Sequence, residues 1–284
     1  MTEVIRDLAA LRARVAEWRG QGLRVALVPT MGNLHGGHFS LVELARRNAD
    51  RVVVSIFVNP TQFGPGEDYD RYPRTPDADV GGLRAAGADV AWMPALETVY
   101  PYGPEAAVRV QVPGITDVLE GAHRPGHFDG VATVVARLFN QVRPDVAVFG
   151  RKDYQQLAVI RYMVRDLAFP VELVAADILR EDDGLAMSSR NQYLEADQRP
   201  VAAEIRRVLE GMAAAARAAR PRELVEQEAC ERLEAAGFVV DYAVLRRNDL
   251  LEPEAPGNDD GDRVALVAAR LGSTRLIDNL EFSL

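Results

Sequence analysis

The chain has 284 residues, 48% of them hydrophobic, with 33 Lys and Arg against 42 Asp and Glu and a net charge of −9. Such a chain can build one large domain or two modest ones around a sizeable core. Its acidic balance excludes broad nucleic-acid binding, which needs a basic surface to displace counterions from phosphates.

No stretch approaches the roughly 18 consecutive apolar residues of a membrane span, so no membrane partner is expected and the cytoplasm is the expected compartment. The single cysteine, Cys230, has no second cysteine to pair with and reads as helical filler.

Ile5, Leu8, Leu11, Val15 and Trp18 recur every three or four positions, which predicts an opening helix over 5–18. Continuous apolar runs follow at 23–28, 52–58, 89–93, 145–149 and 171–175, and helical patterns at 39–49, 76–86, 131–142 and 154–167 lie between most of them. Strands apolar on both faces that alternate with helices predict the α/β class, with a Rossmann-like, doubly wound parallel sheet.

After about residue 177 the texture changes to an Ala, Arg and Glu-rich helical region over 196–236, then candidate strands at 238–245, 264–268 and 275–277. The expected division is a Rossmann-like domain over 1–177 and a smaller α/β domain over 178–284. Within the second, residues 252–262 read as an exposed acidic loop.

The first strand runs directly into PTMGNLHGGH, Pro29 to His38, at the start of a helix. In a doubly wound sheet this is where ligands bind, beyond the carboxyl ends of the strands. Gly32, Gly36 and Gly37 let backbone approach a phosphate, the helix start offers unpaired N–H groups, and His35 and His38 can donate to phosphoryl oxygens. Zinc is a poor fit for two histidines without an evident third ligand, so no metal ligands are assigned. Neither a GxxxxGK[ST] loop nor a GxGxxG turn is present, so a bound nucleotide must use the glycine and histidine turn instead.

Three further stretches carry polar groups at strand ends. SIFVNPTQF places Asn59 and Gln62 after the second strand, where amides suit hydroxyl and carboxylate groups, although a turn-forming Asn-Pro with a solvated Gln reads equally well. GAHRPGHFDGVATVVARLFN puts Arg124, His127 and Asp129 just ahead of a helix. It leads to Gly150-Arg151-Lys152-Asp153 and Gln156. Of the 33 cationic residues 32 are Arg, and Lys152 is the lone Lys. A compact ammonium with rotatable donors has been kept where a planar fork serves everywhere else. Finally, LREDDGLAMSSRNQYL carries Met187-Ser188-Ser189-Arg190, whose hydroxyls and guanidinium suit a triphosphate, with a plain helix cap as the alternative for the serines.

The histidine turn resembles the HxGH signature of the nucleotidyltransferase superfamily. Taken together, PTMGNLHGGH, SIFVNPTQF, RPGHFDGVATVV, FGRKDYQQ, DGLAMSSRNQYL and the late TRLIDN (residues 274–279) closely resemble the pantothenate synthetase (pantoate–β-alanine ligase) family over nearly the whole chain. One departure is Gly37, where the family often has a charged or larger residue. The resemblance implies an enzyme that uses ATP with Mg²⁺ to join pantoate to β-alanine through a pantoyl adenylate, and a homodimer. It implies that ATP contacts Met31, Gly32, Asn33, Leu34, His35, Gly36, Gly37, His38, Gly150, Arg151, Lys152, Asp153, Leu179, Met187, Ser188, Ser189 and Arg190.

Gln62, Gln156, Asn59 and Met31 would hold pantoate. His35, His38, Lys152 and Arg190 would serve the chemistry, with the family's proton-donating histidine falling on His38. The second domain, which carries MSSR, would close over the phosphates. Two other readings share the motifs: a nucleotidyltransferase acting on a different small acceptor, and a nucleotide sensor without turnover. The paired SIFVNPTQF and FGRKDYQQ stretches, with glutamines suited to a small hydroxy acid, count against the first, and the intact histidines, Lys152 and MSSR count against the second.

Overall fold

The computed structural model describes residues 2–250 and 261–284. Most of the expected acidic loop, residues 252–260, therefore lies outside the described residues. The chain forms two compact units, Met1–Arg151 with Gln156–Asp177, and Lys152–Gln155 with Ile178–Leu284. The sequence placed all of 1–177 in one domain; the short segment Lys152–Gln155 instead groups with the second unit, held there by hydrogen bonds described below.

The first unit is built on six strands: β1 (Glu3–Ile5), β2 (Val25–Thr30), β3 (Arg51–Ile56), β4 (Val90–Trp92), β5 (Val146–Gly150) and β6 (Glu172–Ala176). Their order is β1-β4-β3-β2-β5-β6 and every pairing is parallel. Helices α1 (Leu8–Gly20), α2 (Gly36–Asn48), α3 (Pro76–Ala86), α4 (Leu96–Val99), α5 (Glu120–His123), α6 (His127–Val142) and α7 (Tyr154–Asp166) complete the alternation. Two apolar clusters form the core. Leu27, Val53, Ala147, Phe149 and the inner faces of α1 and α6 make one, and Ala26, Val28, Val52, Val54, Val148 and α2 make the other. Adjacent strand residues thus feed different clusters, which is why the strands read as unbroken apolar runs.

The opening helix begins later than periodicity suggested. Asp7 caps it, its carboxylate accepting from Ala10 N at 2.9 Å. Ile5, which fits the helical spacing, instead pairs with Trp92 as the end of an edge strand. Conversely, α6 begins at His127 rather than 131, so His127 and Asp129 belong to its first turn and do not precede it.

The second unit carries α8 (Gln198–Ala202), α9 (Glu204–Arg217) and α10 (Arg222–Ala235) against an antiparallel sheet of β7 (Phe238–Arg247), β8 (Arg263–Leu271) and β9 (Thr274–Phe282), in that order. The helical region over 196–236 is thus three helices. Strand β9 is three times the expected length, because the polar pair Asp278 and Asn279 interrupts its apolar pattern while lying buried inside it. Cys230 sits half-buried on α10 beside this unit's core.

Candidate active site

Strand order reverses between β2 and β5, and chain leaves these neighbours at Thr30 and Gly150. This is the switch point at which a doubly wound sheet opens a crevice. The turn after β2 is held by side chains distant in sequence. Asp79, on α3 and 2% exposed, accepts from Asn33 N at 3.0 Å, Leu34 N at 2.8 Å and Thr75 Oγ1 at 3.1 Å. Gly32 has φ +84°, and a Cβ there would lie 3.0 Å from Asp79 Oδ2 and 3.1 Å from Ile56 Cγ2. The turn therefore needs glycine for both conformation and space.

The two histidines complete the start of α2. His35 Nδ1 accepts from Gly37 N at 3.1 Å, and His38 Nδ1 accepts from His35 N at 3.3 Å, a reciprocal capping arrangement. Accepting at Nδ1 leaves the proton of a neutral ring on Nε2. Both rings, with centroids 4.2 Å apart, are thus set to donate from Nε2 at a helix amino terminus, where an anion is favoured. Met31 and Leu34 are half-buried and Gly36 is exposed. Gly150 closes the end of β5 against α2, where an added Cβ would touch Leu41 at 3.9 Å. Arg151 N donates to Ala176 O on β6, and its guanidinium stands 3.5 Å from Asp177.

Asn59 and Gln62 play different parts. Asn59 is 1% exposed and caps a single 3₁₀ turn, Pro60–Gln62. Its Nδ2 donates to Gly130 O and to Gln62 Oε1, both at 3.1 Å, while its Oδ1 accepts from Tyr100 OH at 2.7 Å and Thr61 Oγ1 at 3.1 Å. A carbonyl can only accept, so Gly130 O fixes which end of the Asn59 amide is NH₂, and that in turn fixes Gln62 with Oε1 toward Asn59. Gln62 Nε2 then points to Met31 Sδ at 3.2 Å, at the mouth of the histidine turn. The structure thus gives Gln62 an outward donor and places Asn59 behind it, with its polar atoms already engaged. Gln156 is half-buried on the first turns of α7.

The backbone of Gln62 is clamped as well. His127 Nδ1–H donates to Gln62 O at 2.8 Å, and Arg124 Nη2 donates to the same oxygen at 3.3 Å. Arg124 also makes a bidentate pair with Glu67, at 2.7 and 2.6 Å, and reaches Glu120 at 3.3 Å. Burial and the neighbouring Arg124 charge push His127 down to about 4, against the hydrogen bond to Gln62 and the nearby glutamates. It is therefore neutral at pH 7. Glu67 is held below the usual carboxylate range: burial opposes this, but the Arg124 hydrogen bond and charge outweigh it.

In the second unit Leu179 is exposed, and its carbonyl accepts from Met187 N at 3.0 Å. Arg180 and Ala186 form an antiparallel bridge, so residues 179–187 make a small hairpin that delivers Ser188. Ser188 caps the 3₁₀ turn Ser189–Tyr193, its Oγ accepting from Arg190 N at 3.2 Å. Met187, Ser188, Ser189 and Arg190 are all half-buried. Lys152 Nζ lies 3.9 Å from the Asp153 carboxylate, and Asn279 Nδ2 donates to Lys152 O at 2.9 Å. Sequence reasoning did not find Asp79, Tyr100 and Gly130 in the first unit, or Arg180 and Asp278 in the second. Each acts on a partner far along the chain, and none stands out locally.

A family model described as pantoate–β-alanine ligase matches residues 3–281. Pantothenate synthetases of Stenotrophomonas maltophilia and Xylella fastidiosa are 64% and 66% identical over 282 residues, 99% of this chain and 100% of each relative. Among solved structures, pantothenate synthetase from Thermus thermophilus superposes with a TM-score of 0.90 at 47% identity, covering 98% of this chain and 99% of that one. Pantoate–β-alanine ligase from Francisella tularensis, complexed with β-γ ATP and β-alanine, gives a TM-score of 0.83 at 30% identity, covering 99% and 97%. Agreement of sequence and of fold over nearly the whole chain leaves one assignment: this chain belongs to the pantoate–β-alanine ligase family.

Proposed function

We propose that the chain condenses pantoate with β-alanine at the expense of ATP, giving pantothenate, AMP and pyrophosphate through pantoyl adenylate. The observation that carries this reading is the Gln62 amide, fixed with its NH₂ group 3.2 Å from Met31 at the mouth of the capped histidine turn. An acid held by that donor would lie beside the turn that takes the nucleotide. Its carboxylate oxygen would attack the α-phosphorus, expelling pyrophosphate. The β-alanine amine would then attack the activated carbonyl carbon and release AMP. Gln156 would hold pantoate with Gln62, and Asn59 would contribute by fixing Gln62.

Met31 to His38, Gly150, Arg151, Lys152, Asp153, Leu179 and Met187 to Arg190 are the proposed ATP-binding residues. The Nε2–H groups of His35 and His38, the Lys152 ammonium and the Arg190 guanidinium would stabilise charge growing on phosphoryl oxygens. His38 is the proposed proton donor. Mg²⁺ would enter with the triphosphate and neutralise part of its charge. The Asp153 carboxylate and the Ser188 and Ser189 hydroxyls are the hard oxygen donors that such an ion accepts.

No described helix is long and apolar enough to cross a membrane. We further propose cytoplasmic residence and a homodimer, on the family resemblance. The test is a product assay with ATP, Mg²⁺ and pantoate, with and without β-alanine. Equal AMP and pyrophosphate, sustained only with β-alanine, is the expected outcome. ADP formation, or no nucleotide consumption, would overturn the proposal.

A further inference from the structure

The TRLIDN motif has no part in the chemistry above, yet three of its residues are buried and polar. Thr274, Asp278 and Asn279 are each no more than 3% exposed. The motif opens β9, and adjacent residues of a strand face opposite sides. Asp278 pairs with Arg180 through two hydrogen bonds, Nη1 to Oδ2 at 2.6 Å and Nη2 to Oδ1 at 3.0 Å. The same guanidinium donates to Gly184 O at 2.9 Å and to Asn279 O at 3.3 Å, tying both the turn of the 179–187 hairpin and β9. Asn279 donates in the other direction, to Lys152 O at 2.9 Å, and Tyr154, two residues on, donates to Glu281 at 3.2 Å. Arg275 spans β8 to reach Asp241 on β7 at 2.7 Å, holding the motif in the sheet.

We infer that TRLIDN is a positioning device, in which Asn279 sets Lys152 and Asp278, through Arg180, sets the hairpin that delivers Ser188, Ser189 and Arg190. Two stretches well separated in the chain are thereby referred to one rigid strand. The pattern explains why a buried Asp-Asn pair interrupts a strand that otherwise gives Leu276, Leu280 and Phe282 to the core. Placement of charged groups to within a fraction of an ångström is what phosphate chemistry demands, and regular strands supply it better than loops. The inference rests on the reading that Lys152 and the MSSR segment hold the triphosphate.

The test uses Asn279, because removing Asp278 would leave the largely buried Arg180 charge unpaired and confound placement with folding. Asn279→Ala removes the donor to Lys152 O without placing a charge at this buried position; Asn279→Ser removes it by shortening and is read instead if the first variant does not fold. The full-length protein is titrated with a non-hydrolysable ATP analogue, and the steady-state rate of AMP release is measured with each substrate varied. The expected result is analogue binding weakened roughly ten-fold, the scale of one lost hydrogen bond. A fall in kcat of about 10- to 100-fold should accompany it, with KM for pantoate and β-alanine unchanged and little change in melting temperature.

Unchanged analogue binding and kcat, or losses shared by all three substrates in step with a lower melting temperature, would overturn it. If the wild-type chain binds the analogue but releases no AMP, the ligase reading fails, while the binding comparison still decides whether Asn279 positions the nucleotide site.

Discussion

The two units secure the residues proposed to bind the nucleotide by opposite means. In the first, the backbone itself is shaped: a glycine at φ +84°, two histidines capping one helix, and a buried Asp79 accepting from consecutive N–H groups. In the second, irregular segments are pinned from outside by the side chains of one strand, Asp278 and Asn279. A turn at the end of a parallel strand comes with a helix amino terminus ready to receive an anion. An antiparallel sheet offers no such terminus, and there the proposed cationic groups depend on other side chains to hold their segments in place.

The sharpest way to break this contrast is at the lone lysine. If the second unit works by placed side chains, Lys152→Arg should lower kcat by about 100-fold despite the conserved charge, because the fork is longer and planar. Near-normal turnover would mean that charge alone suffices there.

In the first unit the backbone should be the sensitive element. A Cβ on Gly130 would lie 2.2 Å from Thr61 O and 2.6 Å from Gln62 N, so Gly130→Ala must drive α6 away from the 3₁₀ turn. Overpacking of this kind should cost about 3 kcal/mol in chemical denaturation and raise KM for pantoate more than KM for ATP. An unchanged pantoate KM would show that Gln62 does not depend on that contact.

The clamp on Gln62 should also be visible in pH dependence. His127 stays neutral in the folded protein down to about 4, whereas an unfolded histidine takes up its proton near pH 6.5. Between these values the unfolded state binds more protons, so stability falls as pH falls from about 6.5 to 4, by up to about 3 kcal/mol from this residue. Glu67, held below its ordinary range, loses its contribution in the same direction at lower pH. The His127→Gln variant, unfolded by urea across this range, should show a shallower slope than the wild type. Identical slopes would remove His127 from the account.

The smallest expected effect is at Asp79. Asp79→Asn puts a donor where one backbone N–H now finds an acceptor, and should cost about 1–2 kcal/mol. KM for ATP should rise while KM for β-alanine stays put. A uniform change in all the kinetic constants would reduce Asp79 to a core residue.

The parallel sheet was legible because its strands are buried on both faces and therefore continuously apolar, and the histidine turn because it follows such a strand directly. Edge strand β1 was not, since three residues beside a helix cap carry no periodicity of their own. Strand β9 was read as three residues because Asp278 and Asn279 look like a loop unless their partners, Arg180 and Lys152, are known. Asn59 was read as a contact for substrate from its place at a strand end. Its donors and acceptors are in fact turned inward, toward Gly130, Tyr100 and Thr61, and only the three-dimensional arrangement distinguishes it from Gln62. What sequence hides is thus consistently the same thing: side chains that act through another residue far along the chain.

The central claim is that the acid is activated as an adenylate, and the most direct measurement is to supply pantoate labelled with ¹⁸O in its carboxylate, together with ATP and β-alanine, and to weigh the AMP released. Attack of the carboxylate on the α-phosphorus, followed by loss of AMP from the carbonyl carbon, carries one labelled oxygen into each AMP. AMP containing one ¹⁸O is the predicted result. Unlabelled AMP, with one labelled oxygen kept in pantothenate and the other in pyrophosphate, as attack on the β-phosphorus would give, would contradict it.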